Sequence, residues 1–143
     1  MKAFDTNILV YAEIRTSPFH KKALALLDDA ASDDLPWALA WPSVYEFLRI
    51  VTHPRVFHPP VPQKTARADL TAILSSPSLV LLKETDRHAA VLDKVLEESQ
   101  VTGNLVHDAH IVALCREHGV DEIVTADRDF MRFSGITVTN PFR

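Results

Sequence analysis

Several features that mark other classes of protein are scarce in this sequence of 143 residues. It has one cysteine, Cys115, which excludes an internal disulfide and fits a reducing compartment. No apolar run is long enough to span a bilayer, and no basic segment with an apolar stretch and cleavage site opens the chain. We therefore expect a cytoplasmic protein that does not act at a membrane.

An excess of positive charge is also missing, since the formal net charge is -4 at pH 7. Proteins that bind nucleic acid through broad charge attraction are usually basic, so a general DNA coat is disfavoured. An enzyme that acts on a phosphodiester through a metal ion is not excluded, because acidic metal ligands make the net charge more negative. With 3 glycines and 47% hydrophobic residues, we expect one globular domain over residues 1–143.

Short apolar strands alternate with helical segments along the chain. The pattern predicts strands at residues 2–4, 37–40, 79–82, 122–125 and 136–139. It predicts helices at 7–13, 17–31, 42–51, 62–75, 86–98 and 104–118, a helical turn at 129–133 and a proline-rich loop at 52–62. Strands joined by such helices imply an α/β fold, a three-layer α/β/α sandwich with a mainly parallel central sheet.

Acidic residues follow two of these strands directly. Asp5 follows the first strand, and Asp127 and Asp129 follow the fourth. The carboxyl ends of parallel strands meet at one edge of the sheet, which is where binding sites form. Asp108 lies in the first turns of its helix on the inward-facing side, and Glu46 adjoins the apolar side of another helix. These acids are candidates for a common site.

Carboxylates that converge on one point repel each other and raise each other's pKa values. A divalent cation removes this repulsion, and ligation by oxygen alone suits Mg²⁺ or Mn²⁺. Such an ion can activate water and stabilise the charge that develops on a phosphodiester.

Each acid also has a simpler interpretation. Asp5 can be a helix N-cap, Asp108 can interact with a helix dipole, and Glu46 can pair with Arg49. Asp127 and Asp129 can be turn residues. The metal-site hypothesis therefore depends on the set, and sequence spacing alone does not show that Glu46 reaches Asp5.

Four segments in order resemble the PIN domain, most closely the VapC toxins of bacterial and archaeal toxin–antitoxin modules. They are FDTNILVYA, WPSVYEFLRIVTHPRVF, GNLVHDAHIVALCREHG and IVTADRDF. The resemblance implies a PIN-like fold and a metal-dependent endoribonuclease that inhibits translation by cleaving transfer or ribosomal RNA, leaving a 5′-phosphate. It also implies a homodimer and a VapB-type antitoxin partner.

The resemblance assigns roles to residues of this chain. Mg²⁺, with Mn²⁺ as an alternative, is expected at Asp5, Glu46, Asp108 and Asp127, and Asp129 is an alternative to Asp127 as the fourth acid. Asn7 and Thr125 are expected to support the acids by hydrogen bonding. RNA is expected to be guided by basic side chains, with Arg15, Arg49 and Arg55 as the main candidates beside Lys21, Lys22 and Arg87.

Other interpretations remain open at this point. A PIN-like protein that only binds RNA or protein shares all these residues. A phospho-receiver signalling domain needs paired acids after the first strand and a late lysine, but no lysine follows Lys94. A phosphatase with an aspartyl nucleophile needs a carboxylate where Asn7 stands. His107 and His110 lie three apart, but without an HExxH pattern or a cysteine pair we interpret them as surface histidines and not as zinc ligands.

Overall fold

The computed structural model describes residues 1–143, and its centre is a sheet of five parallel strands. Its order is β3-β2-β1-β4-β5, and Ala3 of the central strand pairs with Ala38 and Ile123 on its two sides. The sheet is therefore entirely parallel, where the sequence predicted a mainly parallel one. The strands are β1 (Lys2–Phe4), β2 (Trp37–Ala40), β3 (Leu79–Leu82), β4 (Glu122–Val124) and β5 (Thr137–Thr139).

Helices connect consecutive strands. They are α1 (Thr6–Glu13), α2 (His20–Ser32), α3 (Trp41–Val51), α4 (Gln63–Leu74), α5 (His88–Ser99), α6 (Leu105–Glu117) and a short 3₁₀ helix (Arg128–Arg132). The predicted starts of α2 and α5 were too early. The Ser17 hydroxyl accepts the N–H of Phe19 in a turn, and the Thr85 hydroxyl accepts the N–H of Arg87 in another. These hydroxyls cap turns that precede the two helices.

Alternate strand residues face opposite sides of the sheet, as expected for strands buried on both faces. Ala3 and Ala38 pack with α5 and α6, whereas Phe4, Leu39 and Val124 pack with α1 to α4. This arrangement confirms the predicted three-layer sandwich. No helix combines the length and apolar character that crossing a membrane would need.

The chain order reverses between β1 and β4, which are neighbours in the sheet. In open parallel sheets, a crevice forms outside the carboxyl ends of the strands at such a point. Asp5 and Thr125 are the first residues after these two strands. The topology therefore brings residues from the two ends of the chain to one place.

Candidate metal centre

Asp5 is buried at the junction of β1 and α1, with 6% of its surface exposed. Its Oδ1 accepts the N–H of Thr6 at 2.7 Å, and its Oδ2 accepts hydrogen bonds from Asn7 Nδ2 at 2.9 Å and Thr125 Oγ1 at 2.7 Å. Burial raises the pKa of Asp5 to about 6, although the hydrogen bonds from Thr125 and Thr6 oppose this rise. Asp5 is thus an N-cap, as the simpler interpretation holds, and also faces other acids.

Asn7 and Thr125 join the loops that follow β1 and β4. Asn7 Nδ2 also donates to Thr125 Oγ1 at 2.9 Å, and Asn7 Oδ1 accepts the N–H of Ala126 at 3.2 Å. Thr125 Oγ1 accepts the N–H of Asp127 at 2.9 Å. This network fixes the backbone of Asp127 relative to Asp5, so both polar residues lie where the family resemblance placed their supporting role.

Three further acids approach each other from α6 and the segment after β4. Carboxylate oxygens of Asp108, Asp127 and Asp129 lie within 4.8 Å of one another. Asp127 Oδ1 also accepts the N–H of Asp129 at 2.8 Å. Burial raises the pKa of Asp108 to about 7, and the charges of Asp127, Asp5, Asp129 and Glu46 add to the rise. The charges of the four other acids therefore all act on Asp108.

Glu46 is held on the Asp5 side of this cluster by a residue that sequence reasoning missed. Thr6 Oγ1 donates to Glu46 Oε2 at 2.9 Å, while the backbone N–H of Thr6 binds Asp5. The predicted pairing with Arg49 is weaker, because its nitrogen lies 4.0 Å from Glu46 Oε1. The only sequence signal for Thr6 is its position beside Asp5 at the start of α1.

Four of the five acids line a cavity of about 640 Å³ at the carboxyl edge of the sheet. Glu46, Asp108, Asp127 and Asp129 all line it. Tyr45 lies at the rim with 66% of its surface exposed, and no sequence pattern singles it out. An exposed aromatic ring beside a group of acids is an available surface for base stacking.

The basic candidates are dispersed. Arg49 lines the acidic cavity, and Arg55 is exposed in the 52–62 loop. Arg15 follows the far end of α1 and lines a different cavity with Glu13 and Asp69. Lys21 and Lys22 are exposed on α2, and Arg87 donates to the Glu117 carbonyl at 2.7 Å.

The donor chemistry of the acidic cluster fits a hard divalent cation. Its side chains offer carboxylate oxygens, the ligands that Mg²⁺ and Mn²⁺ prefer. Few positive charges compensate them: Arg132 lies 3.5 Å from Asp129, and Arg49 lies 4.0 Å from Glu46. Burial and then the charges of the other acids raise the pKa of Asp108, and a cation bound among these acids would oppose this rise.

Comparisons with known proteins agree with this picture. A family model described as PIN domain matches residues 2–136. Ribonucleases VapC37 and VapC48 of Mycobacterium tuberculosis are 39% and 37% identical to this chain over 141 residues, covering 99% of it and 97% of each relative. The structure of VapBC2 from Rickettsia felis, bound to a DNA fragment from their promoter, matches with a TM-score of 0.67 and 19% identity over 97% of both chains. That structural match bears on the fold alone.

Proposed function

The chain belongs to the PIN domain family, and we propose that it is a VapC-type toxin, a metal-dependent endoribonuclease that inhibits translation by cleaving transfer or ribosomal RNA. The observation that carries this proposal is that acids from three separate segments line one cavity, while Asp5 from a fourth segment lies close enough for its charge to act on Asp108. Two relatives with matching length are named ribonucleases, which supports the same activity here. The proposed activity resides in a single domain formed by residues 1–143.

In the proposed centre, Asp5, Glu46, Asp108 and Asp127 hold Mg²⁺, or alternatively Mn²⁺. Asp129 is the alternative to Asp127, because both approach Asp108. A bound cation supplies Lewis-acid polarisation of a phosphodiester and activation of water. Thr6 orients Glu46, and Thr125 and Asn7 orient Asp5 through the hydrogen bonds described above.

RNA is negatively charged, and so is the acidic cavity that it must enter. Arg49 lines the cavity and offsets part of the repulsion between the acids and RNA phosphates. We assign Tyr45 as a stacking surface for a base beside the scissile bond, since single-stranded RNA is commonly read by aromatic stacking. Arg15 and Arg55 remain candidates for more distant phosphate contacts.

A VapB-type antitoxin is the proposed protein partner, and a homodimer is the proposed assembly. The Rickettsia felis structure of similar fold is a VapBC pair, which supports the first proposal. Sedimentation over a broad concentration range tests the second, because a chain that stays monomeric throughout would contradict it.

Cleavage of a total cellular RNA pool by the purified chain tests the proposed activity. Reactions contain Mg²⁺, Mn²⁺ or chelator, and the Asp5→Ala variant is run beside wild type. Asp93→Asn is the matched control, since Asp93 is an exposed acid on α5 outside the cavity. We expect discrete, metal-dependent cuts with wild type and Asp93→Asn, and none with Asp5→Ala. Equal cleavage by folded Asp5→Ala, or by the chelated protein, would contradict the proposal.

A further inference from the structure

A second cluster of ionisable side chains lies on the other side of α6. His110 Nε2 lies 3.0 Å from Glu84 Oε1, and the His110 ring centroid lies 5.2 Å from that of His88. Possible ligand atoms of Glu84, His88 and His110 all lie within 4.8 Å of one another. None of these three residues lines the acidic cavity, so the two clusters are separate. His107, three residues before His110, lines the acidic cavity.

A buried carboxylate stands behind His88. The Glu117 side chain is 0% exposed, and its Oε2 lies 2.7 Å from His88 Nδ1. Glu117 Oε1 accepts the N–H of Thr85 at 2.9 Å and its hydroxyl at 2.7 Å. Burial would raise the pKa of Glu117, but the hydrogen bonds from His88 and Thr85 outweigh it and hold the pKa below its usual value. Glu117 is therefore an ionised acceptor.

An ionised Glu117 fixes the tautomer of its histidine neighbour. Only an Nδ1 that carries hydrogen satisfies this carboxylate, so the neutral His88 ring keeps its lone pair on Nε2. Metal-binding histidines typically donate their other ring N–H to a carboxylate in this way, which sets ring orientation and raises basicity. A histidine that is merely exposed on a surface does not require such an acceptor.

We propose that Glu84, His88 and His110 bind a transition-metal ion of the zinc class, at a site distinct from the acidic centre. Imidazole nitrogens suit Zn²⁺, whereas Mg²⁺ prefers oxygen ligands, so the two sites differ in the ion they select. Side-chain exposures of 57% for Glu84, 19% for His88 and 29% for His110 allow an ion to enter. Three protein ligands leave a position for water or a group from another molecule.

Bond lengths make the site reachable with small side-chain movements. Ligands about 2.0 Å from a tetrahedral ion lie about 3.3 Å apart, and the Glu84–His110 pair at 3.0 Å is already near this value. The ion would connect the segment after β3 with α5 and α6. Because α6 also carries Asp108, zinc binding is expected to stabilise the helix that supports the acidic centre.

Calorimetric titration of Zn²⁺ into the untagged full-length chain tests the proposal, with excess Mg²⁺ present to saturate the acidic centre. We expect one zinc ion per chain and a loss of affinity of about 100-fold in His88→Gln and His110→Gln. Glu117→Gln should weaken binding by about 10-fold to 100-fold, as for other residues that orient metal ligands. His107→Gln and Asp93→Asn are matched controls that should bind as wild type does.

Visible absorption of bound Co²⁺ tests the proposed ligands by a second, independent method. Co²⁺ bound in place of Zn²⁺ should give intense visible absorption bands in wild type, and these bands should be lost in Glu84→Gln. Because Glu84 is exposed, this substitution should not disturb the fold. Zinc affinity that is unchanged in both histidine variants, or lost in Asp108→Asn instead, would overturn the proposal. RNA cleavage is read separately, so failure of the zinc site leaves the proposed ribonuclease activity standing.

Discussion

Helix α6 separates two groups of acids that behave oppositely. On one side, the pKa of Asp108 is raised to about 7, first by its partial burial and then by the charges of four other acids. On the other side, the Glu117 side chain is fully buried, yet its pKa is lowered because His88 and Thr85 face it. Burial raises both pKa values, so the opposite net shifts come from the neighbours, which are acids at Asp108 and hydrogen-bond donors at Glu117.

The comparison indicates that the charge of Glu117 has a structural role and the charge of Asp108 a functional one. Glu117 has donors for both oxygens, so the fold itself compensates the charge. Asp108 has no such donor to lower its pKa and is held against repulsion from the acids around it, a cost that proteins typically accept at functional sites. The proposed cation would compensate the charge on the Asp108 side, and the comparison with Glu117 makes this proposal testable.

Removing the charge of Asp108 should have the largest effect on activity. Loss of several kcal/mol of transition-state stabilisation corresponds to a fall of about 1,000-fold in kcat/KM for Asp108→Asn. Single-turnover cleavage of the mapped RNA site measures it. Asp93→Asn, which also removes one exposed negative charge, should cleave as wild type does. Cleavage by folded Asp108→Asn within a few fold of wild type would mean that the uncompensated acids are not catalytic.

Variants of Tyr45 test whether RNA enters the cavity on the side where this ring lies. Base stacking is worth about 1–3 kcal/mol, so Tyr45→Ala should raise KM by about tenfold or more with little change in kcat. Tyr45→Phe keeps the ring and should retain most of the wild-type KM. A fall in kcat at constant KM, or no change in either, would contradict a stacking role. Steady-state kinetics on a short RNA carrying the cleavage site separates these outcomes.

Neutralising Glu117, whose charge is compensated by hydrogen-bond donors, should destabilise the fold. Glu117→Gln leaves a donor where His88 or Thr85 also donates, at a cost of about 2 kcal/mol for a buried unsatisfied group. For a chain of this length, we expect Tm to fall by about 5 °C. Thermal unfolding in chelator measures the change. An unchanged or higher Tm would show that Glu117 is not compensated as its hydrogen bonds indicate.

Neutralising Asp108 should stabilise the fold in the absence of metal. Asp108→Asn removes repulsion and should raise Tm in chelator at pH 8, by about 1 kcal/mol or roughly 3 °C once solvent screening is allowed for. A lower Tm in the same scan would mean that Asp108 is held by favourable contacts and not against repulsion.

The smallest expected effect is the pH dependence of that difference. A carboxyl group whose folded pKa is raised contributes stability below its unfolded pKa of 3.8, and this stability is lost as pH rises through the folded value of about 7. The gain from Asp108→Asn should therefore shrink as pH falls from 8 to 5. Subtracting the two proteins removes contributions from groups that do not interact with Asp108, such as Glu13. A gain that grows on acidification would reverse the assigned sign.

The sequence was sufficient for the architecture because period and length identify strands and helices. It was also sufficient to expect acids at the carboxyl edge, since Asp5 and Asp127 directly follow strands. It failed where contacts join distant segments without a regular spacing. The Thr6–Glu46 hydrogen bond and the approach of His88 to His110 depend on how helices pack, so neither follows from sequence spacing.

Thermal unfolding with added Mn²⁺ or Mg²⁺ tests most directly whether a cation completes the acidic cluster. A ligand at 100 times its Kd stabilises the folded state by about 2.7 kcal/mol, more than the repulsion that Asp108→Asn removes. We expect Asp108→Asn to melt above wild type in chelator and below wild type at saturating metal, with Asp93→Asn following wild type throughout. If metal shifts wild type and Asp108→Asn equally, or shifts neither, the acids of this cavity are not a metal centre.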